Sequence, residues 1–291
     1  MMNETENHIL MGETSRYLKN QWLREHGDTA KLFDNSRNGL DEWWMGCLAQ
    51  KFEKGFYEFN ANPYSGYALT ALLTFHSFCH NPILKDKCSQ VLDKLFINYA
   101  YGNMQQRSFP VFRRRLEREK IKAFKEDPAS SIMKTLMQKE SLFAGNGKIE
   151  DHLHHALLTH LSDYRLPGTA LPLLKGEKES FFMKIGHQRN SSPEIYSGNS
   201  DYLLSAGGAQ RGEVSQIVAR PVALFLNDEA ALLQDCFYLK GKGKMNQWNN
   251  TGVFKGFACA SANVSITKQY SPLKELSGWQ LVKPYSDTNF I

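Results

Sequence analysis

The sequence lacks several patterns that would place it in a common functional class. Its 291 residues contain no run of about 18 apolar residues, so no transmembrane helix is expected. The amino terminus lacks the charged start, apolar core and small-residue cleavage site of a signal peptide. The glycine-rich motifs of dinucleotide enzymes and phosphate-loop NTPases are missing, and so is the nucleophile elbow of α/β-hydrolases. These absences disfavour those three enzyme classes.

Cysteine is scarce, and charge of either sign is not concentrated. The cysteines are odd in number, and no two have the C-x-x-C spacing, which indicates buried thiols rather than a disulfide framework or a zinc knuckle; they are Cys47, Cys79, Cys88, Cys236 and Cys259. A net charge of +5 spread along the chain favours an acidic ligand. A nucleic-acid binder would show a denser basic stripe, so no nucleic-acid partner is expected.

The apolar pattern before residue 170 has the spacing of helices. One predicted helix follows a cap at Thr5, a second begins at Asp41, a third is the apolar run Tyr67–Phe78, and a fourth begins at Pro82. Weaker helical patterns cover 112–126, 130–143 and 150–163. Helices joined by short loops predict stacked helical hairpins.

Beyond residue 170 the apolar period shifts towards two. The predicted strands are Phe181–Ile185, Tyr202–Leu204, Ile217–Ala219, Val222–Leu226, Cys236–Leu239 and several between Val253 and Ile266. Gly, Asn, Asp and Pro separate them, as expected of an antiparallel sandwich. The predicted organisation is therefore α+β, with a helical domain over 1–168 and an antiparallel β-sandwich over 169–291. The stretch 167–180 is the predicted linker.

Asn7 and His8 are the most informative pair in the sequence. If Thr5 caps the helix, both lie in its first turn, where free backbone N–H groups and the helix dipole favour an anion. An amide and an imidazole at that place could bind and neutralise a sugar carboxylate. The structural alternative is that Asn7 only helps to cap the helix and His8 only packs at its end.

The loop from Tyr57 to Tyr67 carries further polar candidates. Tyr64 follows Pro63, and its phenol could remove a proton beside a carboxylate if a neighbouring cation favours the phenolate. Tyr67 begins an apolar helix, which favours a role in packing. Glu58 and Asn60 are candidate substrate contacts. Glu58 with Glu6 or Glu13 is also a candidate carboxylate pair of a glycosidase.

Histidine, arginine and tryptophan supply the remaining candidates. His152 and His155 share a helical face, but no H-E-x-x-H motif accompanies the histidines at 152, 154, 155 and 160, so no metal is predicted. One of them could instead reach into a polar cleft, and exposure to solvent is the structural alternative. Arg107 and Arg114 could clamp an acidic polymer, although the charged run that contains Arg114 is also typical of a solvated helix. Trp22, Trp43 or Trp44 could stack on sugar rings, with core packing expected for at least one of the adjacent pair.

The order of parts resembles the heparinase-like and alginate-lyase-like polysaccharide lyases, which join a toroid of helical hairpins to an antiparallel β-sandwich. The resemblance rests on the stretches 5–8, 57–64, 192–208 and 246–258. In those lyases an Asn and a His neutralise the carboxylate of a uronate, and a Tyr removes the C5 proton. The resemblance therefore implies that Asn7 and His8 are the neutralisers, that Tyr64 is the base and acid, and that no cofactor is obligatory. The chain supplies fewer helices than a complete toroid, which is expected of a fragment or a truncated relative.

The predicted function is β-elimination on a uronate-containing acidic polysaccharide, with that polysaccharide as the partner. Two alternatives stay open, namely a glycoside hydrolase on the same scaffold and a non-catalytic carbohydrate-binding protein. No membrane partner is expected, and the sequence does not define an oligomeric state. Localisation is equally open, since the chain as it stands would be cytoplasmic, whereas a fragment of a secreted parent would be exported.

Overall fold

A computed structural model describes residues 5–56, 60, 64–104, 107–108, 128–142, 152–186, 193–207, 222–227, 237–241, 250–261, 264–266, 272–276 and 279–282. Contacts between Cα atoms divide the chain into two compact units. The helical unit comprises 1–100, 126–175 and 187–189, and the sheet unit comprises 101–125, 176–186 and 190–291. The predicted boundary at residue 168 lies near the break at residue 175, and the segment 101–125 joins the sheet unit.

Seven α-helices lie within the described residues. They are α1 (Glu6–Glu25), α2 (Leu40–Lys54), α3 (Tyr64–Phe78), α4 (Pro82–Tyr101), α5 (Pro128–Lys139), α6 (Leu153–Leu161) and α7 (Ala170–Leu174), with a 3-10 turn at Lys31–Phe33. The predicted helices at the start of the chain are confirmed, except that α3 begins at Tyr64, which was predicted to lie in the loop before a helix starting at Tyr67. The short helix α7 interrupts the predicted linker, and the helix predicted over 112–126 lies outside the described residues.

Side-chain hydrogen bonds fix the directions of these helices. Thr14 donates to the carbonyl of Ala71 at 3.4 Å, and Gln21 donates to that of Phe78 at 2.9 Å, so both bonds join residues 57 apart in sequence. A constant offset means that α1 and α3 run parallel. The same reasoning makes α6 parallel to α3, because Thr70 in the middle of α3 meets His155 near the start of α6, and a later contact joins His76 to Asp163 just beyond α6.

Helices α2 and α4 run the opposite way. Tyr17 donates to Asp41 at 2.8 Å, whereas Glu6 at the other end of α1 forms an ion pair with Lys51. Because low numbers in α1 meet high numbers in α2, the two helices form an antiparallel hairpin. Helices α3 and α4 form the next hairpin, with the Cys88 thiol donating to the carbonyl of Leu72. The predicted hairpins are therefore present.

The core of the helical unit is aromatic. The Trp44 ring stacks on Phe75 with centroids 3.9 Å apart, and Tyr17 meets Phe75 edge-on at 5.0 Å. Trp44 and Phe75 are fully buried, whereas Trp43 is 38% exposed. One member of the tryptophan pair therefore belongs to the core, as predicted, and the other faces outward. Burial of such rings contributes the largest apolar areas available to a helix pair.

The sheet unit contains a six-stranded antiparallel sheet, whose strands are β3 (Phe181–Ile185), β4 (Glu194–Gly198), β5 (Tyr202–Ala206), β6 (Val222–Leu226), β7 (Phe237–Gly241) and β10 (Val264–Ile266). Their order across the sheet is β10-β7-β6-β5-β4-β3. Three two-stranded pairs complete the described strands: β1 (Asn103–Met104) with β2 (Arg107–Ser108), β8 (Asn250–Phe254) with β9 (Phe257–Ser261), and β11 (Pro272–Leu276) with β12 (Trp279–Val282). Val253 of β8 packs with Leu204 and Val222, so the hairpin β8–β9 covers part of one sheet face.

Several details of the sheet unit depart from the sequence pattern. The strands β3 and β6 have the predicted bounds, whereas β4 was not predicted and the strand expected at Ile217–Ala219 lies outside the described residues.

A buried lysine, Lys178, donates to the carbonyls of Tyr101 and Asn103. Burial lowers the pKa of Lys178 to about 8. Its contacts satisfy carbonyl groups at and just beyond the carboxyl end of α4.

Candidate functional site

The candidate site is the end of the helical unit at which the parallel helices α1, α3, α5 and α6 begin, here called the amino-terminal end. Gly66 near the start of α3 lies against Pro128, the first residue of α5. At the other end of α5, Lys139 meets Ser162 just beyond α6, which makes α5 parallel to α6. Parallel helices place their free N–H groups and the positive ends of their dipoles on the same side, where they favour anions.

Asn7 lies in the first turn of α1 and is only 2% exposed. Thr5 is the N-cap residue, but its side chain makes no capping bond to the backbone. Instead, the Thr5 hydroxyl donates to Oδ1 of Asn7 at 2.7 Å. In the described part of the chain the amide nitrogen of Asn7 makes no hydrogen bond. The oxygen is therefore held in place, and the two N–H donors are left for another acceptor.

His8 follows Asn7 on the exposed side of α1. Consecutive helical residues point about 100° apart, so the imidazole does not share the buried direction of the Asn7 amide. The structure places the two predicted neutralisers at the same helix end but on different sides of the helix. A ligand that touched both would have to cover the first turn of α1 from solvent.

Tyr64 is the first residue of α3 and is partly exposed. The offset of 57 residues between the parallel helices α1 and α3 puts Tyr64 level with Asn7. The structure therefore brings the predicted base to the same end of the bundle as the predicted amide. Asn60, which precedes α3, adopts a left-handed backbone with φ of 50° and is also partly exposed.

A histidine cluster adjoins the start of α3. The rings of His154 and His155 lie 4.0 Å apart, His152 lies 5.9 Å from His155, and Tyr67 meets His155 edge-on at 5.1 Å. Tyr67 also stacks on His154 at 6.1 Å. The prediction that Tyr67 serves packing fits these contacts. Among these histidines His155 is buried, with 1% of its surface exposed.

The hydrogen bonds around Thr70 determine which ring nitrogen of His155 carries the proton. The Thr70 hydroxyl donates its single proton to the Gly66 carbonyl at 2.8 Å, so the 2.6 Å contact between Thr70 and Nδ1 of His155 requires Nδ1 to be the donor. Nε2 then carries a lone pair, and this buried atom has no partner in the described part of the chain. Burial, with added repulsion from His154 and His152, lowers the pKa of His155 to about 4. The imidazole is therefore a neutral base near pH 7.

Gly66 makes room for this imidazole. A Cβ atom at position 66 would lie 2.4 Å from Cβ of Pro128 and 2.9 Å from Nε2 of His155. Real Cβ atoms do not approach other atoms that closely, so the packing of α3, α5 and α6 at this end requires a glycine. Spacing alone does not reveal this pair, because Gly66 and His155 are 89 positions apart in the sequence.

A groove between α1 and α2 opens beside the same end. It has a volume of about 730 Å³ and is lined by Glu6, Ile9, Leu10, Gly39, Glu42, Trp43, Gly46, Cys47, Gln50 and Lys51. Glu6 and Lys51 form a buried ion pair at one end of it. Lys51 also lies over the Phe56 ring, 5.0 Å from its centroid. Glu42 and Trp43 are exposed in its wall.

The other predicted site residues are not gathered at this end. Trp22 lies 15 positions after Asn7, about 22 Å along the helix axis, and it stacks on His26 with centroids 4.1 Å apart. Arg107 belongs to the short strand β2 of the sheet unit. Glu58 and Arg114 lie outside the described residues, so their predicted roles stay predictions.

Among the described residues, no three His, Cys, Asp or Glu side chains are placed to hold a metal ion, and none of the helices there is long and apolar enough to cross a membrane. No protein-family model, curated protein or solved structure matches this chain. The site must therefore be interpreted from its own chemistry.

Proposed function

We propose that this chain carries the catalytic residues of a polysaccharide lyase, which cleaves a uronate-containing acidic polysaccharide by β-elimination. One observation carries the proposal most directly. In the parallel register of α1 and α3, residues Asn7 and Tyr64 lie at the same level along the helical unit. Elimination beside a carboxylate needs such a pair, a donor that neutralises the acid and a group that takes the proton.

The donor set at this end suits an anion. The Asn7 oxygen is occupied by Thr5, so its two N–H groups can donate to the uronate carboxylate. His8 would approach the same carboxylate from the exposed side of α1. The positive ends of the parallel helices favour both the bound carboxylate and the negative charge that develops as the proton leaves.

Tyr64 would then move the proton. Its phenolate takes the proton from C5 of the uronate, and the electron pair of that C–H bond is delocalised into the neutralised carboxylate. The C4–O bond breaks, a C4=C5 double bond forms, and the same phenol returns a proton to the departing oxygen. Tyr67 is the less suitable base, because its ring packs against His154 and His155.

The proposed architecture is an incomplete helical toroid followed by a β-sandwich. Support for the toroid is that the hairpins α1–α2 and α3–α4 have their first helices parallel to one another. Support for the sandwich is that β8–β9 packs on the face of the six-stranded sheet. The predicted polymer partner and the clamp formed by Arg107 and Arg114 belong to the same proposal.

A glycoside hydrolase is the second candidate, and one observation favours it. Glu6 and Glu42 line the same groove, and hydrolysis of a glycosidic bond uses two carboxyl groups on opposite sides of the bond. Against this reading, Glu6 is held in an ion pair with Lys51. That contact favours its ionised form, whereas a general acid must carry a proton at the working pH.

The test is an elimination assay with a panel of acidic polysaccharides. A lyase creates an unsaturated uronate that absorbs in the ultraviolet, whereas a hydrolase produces new reducing ends without that absorbance. We expect absorbance to rise with at least one polymer, and Tyr64→Phe to abolish the rise while the circular dichroism spectrum is unchanged. Reducing ends without absorbance would select the hydrolase, and wild-type activity in Tyr64→Phe would remove this residue from the mechanism.

A further inference from the structure

The outer face of helix α6 exposes leucine at regular spacing. Leu153, Leu157 and Leu161 are 63%, 60% and 61% exposed, so each of these side chains presents most of its apolar surface to solvent. The inner face of the same helix packs against α3 and α5 and buries His155 and Thr159. A continuous row of exposed apolar side chains on an otherwise packed helix marks a surface that meets a partner.

The helical geometry centres this face on Leu157. Because successive residues point about 100° apart, Leu153 and Leu161 lie about 40° to either side of Leu157, and the row runs along the helix axis. By the same geometry His154 and His160 lie about 60° to either side of it, and both are exposed. The outer face is therefore a leucine row with one histidine on each flank.

The order of residue types on this face is the same when it is read in either direction from Leu157. A leucine stands four positions before and after it, and a histidine three positions before and after it. An antiparallel copy of α6, turned by 180° about an axis through Leu157, therefore places Leu153 on Leu161 of the partner subunit and His154 on His160 of the partner subunit. Contacts across a two-fold axis require this kind of self-complementary pattern.

The charges on the face also suit a second copy. No Asp, Glu, Lys or Arg occurs between Leu153 and Leu161, so apposed copies bring none of these charges against each other. A neutral imidazole has one donor and one acceptor nitrogen, so His154 can form a hydrogen bond with His160 of the partner subunit. A partner of a different kind is usually selected by complementary charges, and α6 offers no carboxylate, ammonium or guanidinium group for that purpose.

We infer that the outer face of α6 binds the same face of a second copy of this chain, with the two helices antiparallel and Leu157 on the two-fold axis. Interfaces of standard size bury about 800 Å² on each partner. A nine-residue helix is only about 13 Å long and offers less area, so the dimer is a reversible one. The inference is independent of the proposed function, because association is measured without a substrate.

The first experiment is sedimentation velocity of the full chain over a series of protein concentrations. We expect the sedimentation coefficient to rise from the monomer value towards the dimer value. Leu157→Glu should weaken the dimer at least about tenfold, because the two carboxylates would face each other on the axis. The matched control is Leu32→Glu, since Leu32 is an equally exposed leucine, 64%, on the 3-10 turn of the same unit, and this variant should associate as the wild type does.

The second experiment tests the antiparallel register by disulfide cross-linking, in a chain with Cys259→Ser because that native thiol is exposed. Leu157→Cys should form a linked dimer under mild oxidation, since a residue on the axis meets its own copy. Leu153→Cys should not, because its copy lies about 12 Å away along the helix axis, beyond the reach of a disulfide. A mixture of Leu153→Cys and Leu161→Cys should link, and non-reducing electrophoresis separates these products.

The two experiments share clear contrary outcomes. A sedimentation coefficient that does not change with concentration, together with no linked dimer of Leu157→Cys, would overturn the inference. A dimer that Leu157→Glu leaves intact, or that Leu32→Glu weakens equally, would place the contact on another face. Self-linking of Leu153→Cys as efficient as that of Leu157→Cys would refute the axis at Leu157. Circular dichroism of each variant confirms that its helices are intact, which these exposed positions lead us to expect.

Discussion

The two ends of the parallel helices differ in how their polar side chains are paired. At the far end, where α3 and α6 finish, Asp163 accepts from His76 at 3.0 Å and from Lys85 at 2.6 Å, and its backbone N–H donates to Ser77. At the amino-terminal end, Nε2 of His155 has no partner among the described residues, and the Asn7 amide nitrogen makes no hydrogen bond there. Unsatisfied buried groups cost stability. Other buried atoms without a hydrogen-bond partner among the described residues are Nε1 of Trp44, Nδ2 of Asn103 and Oε1 of Glu140, so the amino-terminal end is distinguished by the chemistry of its two groups rather than by their number.

The largest expected effect is on activity at the amino-terminal end. Asn7→Ala removes the N–H donors that would neutralise the uronate, and loss of one such donor typically slows turnover by about 10²–10³. Its effect on the free energy of unfolding should be small, about 1 kcal/mol, because the only bond lost is the one from Thr5. Steady-state kinetics and urea denaturation measure the two quantities. A loss of stability without a loss of turnover would mean that Asn7 serves the fold and not the reaction, which contradicts the distinction between the two ends.

The next largest effect is a dependence of stability on pH at His155. Its pKa is about 4 in the folded chain and about 6.5 when unfolded, so the unfolded state takes up the proton first on acidification. Stability should therefore be complete above pH 6.5 and fall as the pH decreases towards 4, by at most about 3 kcal/mol. Denaturation at several pH values measures the slope. His76, whose pKa is lowered by burial but supported by Asp163, should contribute a weaker slope of the same sign.

Two variants isolate the contribution of His155. His155→Gln removes the titrating group while keeping a polar partner for Thr70, so the slope between pH 6.5 and 4 should flatten. The matched control is His160→Gln, because His160 is exposed on the same helix, and its slope should equal that of the wild type. An unchanged slope in His155→Gln would show that the imidazole is not held neutral by its surroundings.

Packing at the same end gives an intermediate effect. Gly66→Ala would place a methyl group 2.4 Å from Pro128 and 2.9 Å from His155, and such overpacking costs about 1–3 kcal/mol. The control is Gly12→Ala in α1, where an added Cβ meets nothing within 4 Å. That change should instead stabilise the helix by up to about 1 kcal/mol. Thermal or urea denaturation of both variants measures the difference, and equal stabilities would argue against close packing at Gly66.

Local patterns in the sequence predicted most of the helical elements and little of the site. Helical spacing and capping residues located α1 to α4, because these signals lie within a few positions of each other. The parallel register of α1 and α3 depends instead on contacts between residues 57 apart, which no local pattern encodes. Asn7 and Tyr64 could therefore be chosen for their chemistry, but their common level could not be predicted.

Burial explains the remaining differences between prediction and structure. His154 and His155 are adjacent in a run of histidines, yet the first is exposed and the second is 1% exposed. Which histidine turns inward depends on Thr70 and Gly66 of another helix. The position of Glu6 in the groove also depends on another helix, because its ion-pair partner Lys51 belongs to α2. The strand β4 was missed because its residues alternate less clearly, with four of five positions buried.

The smallest expected effect is at Asp163 at the far end, whose side chain is already paired with His76 and Lys85. Asp163→Asn removes the charge that Lys85 contacts, but the side chains of both residues are more than a third exposed, so the loss should be about 1 kcal/mol or less. Turnover and KM should not change, because Asp163 lies near the carboxyl ends of α3 and α6, away from Tyr64. Measured beside Asn7→Ala, this variant tests the comparison directly. A tenfold loss of activity in Asp163→Asn would mean that the two ends are not functionally distinct, and that the partner-free groups at the amino-terminal end do not mark the site.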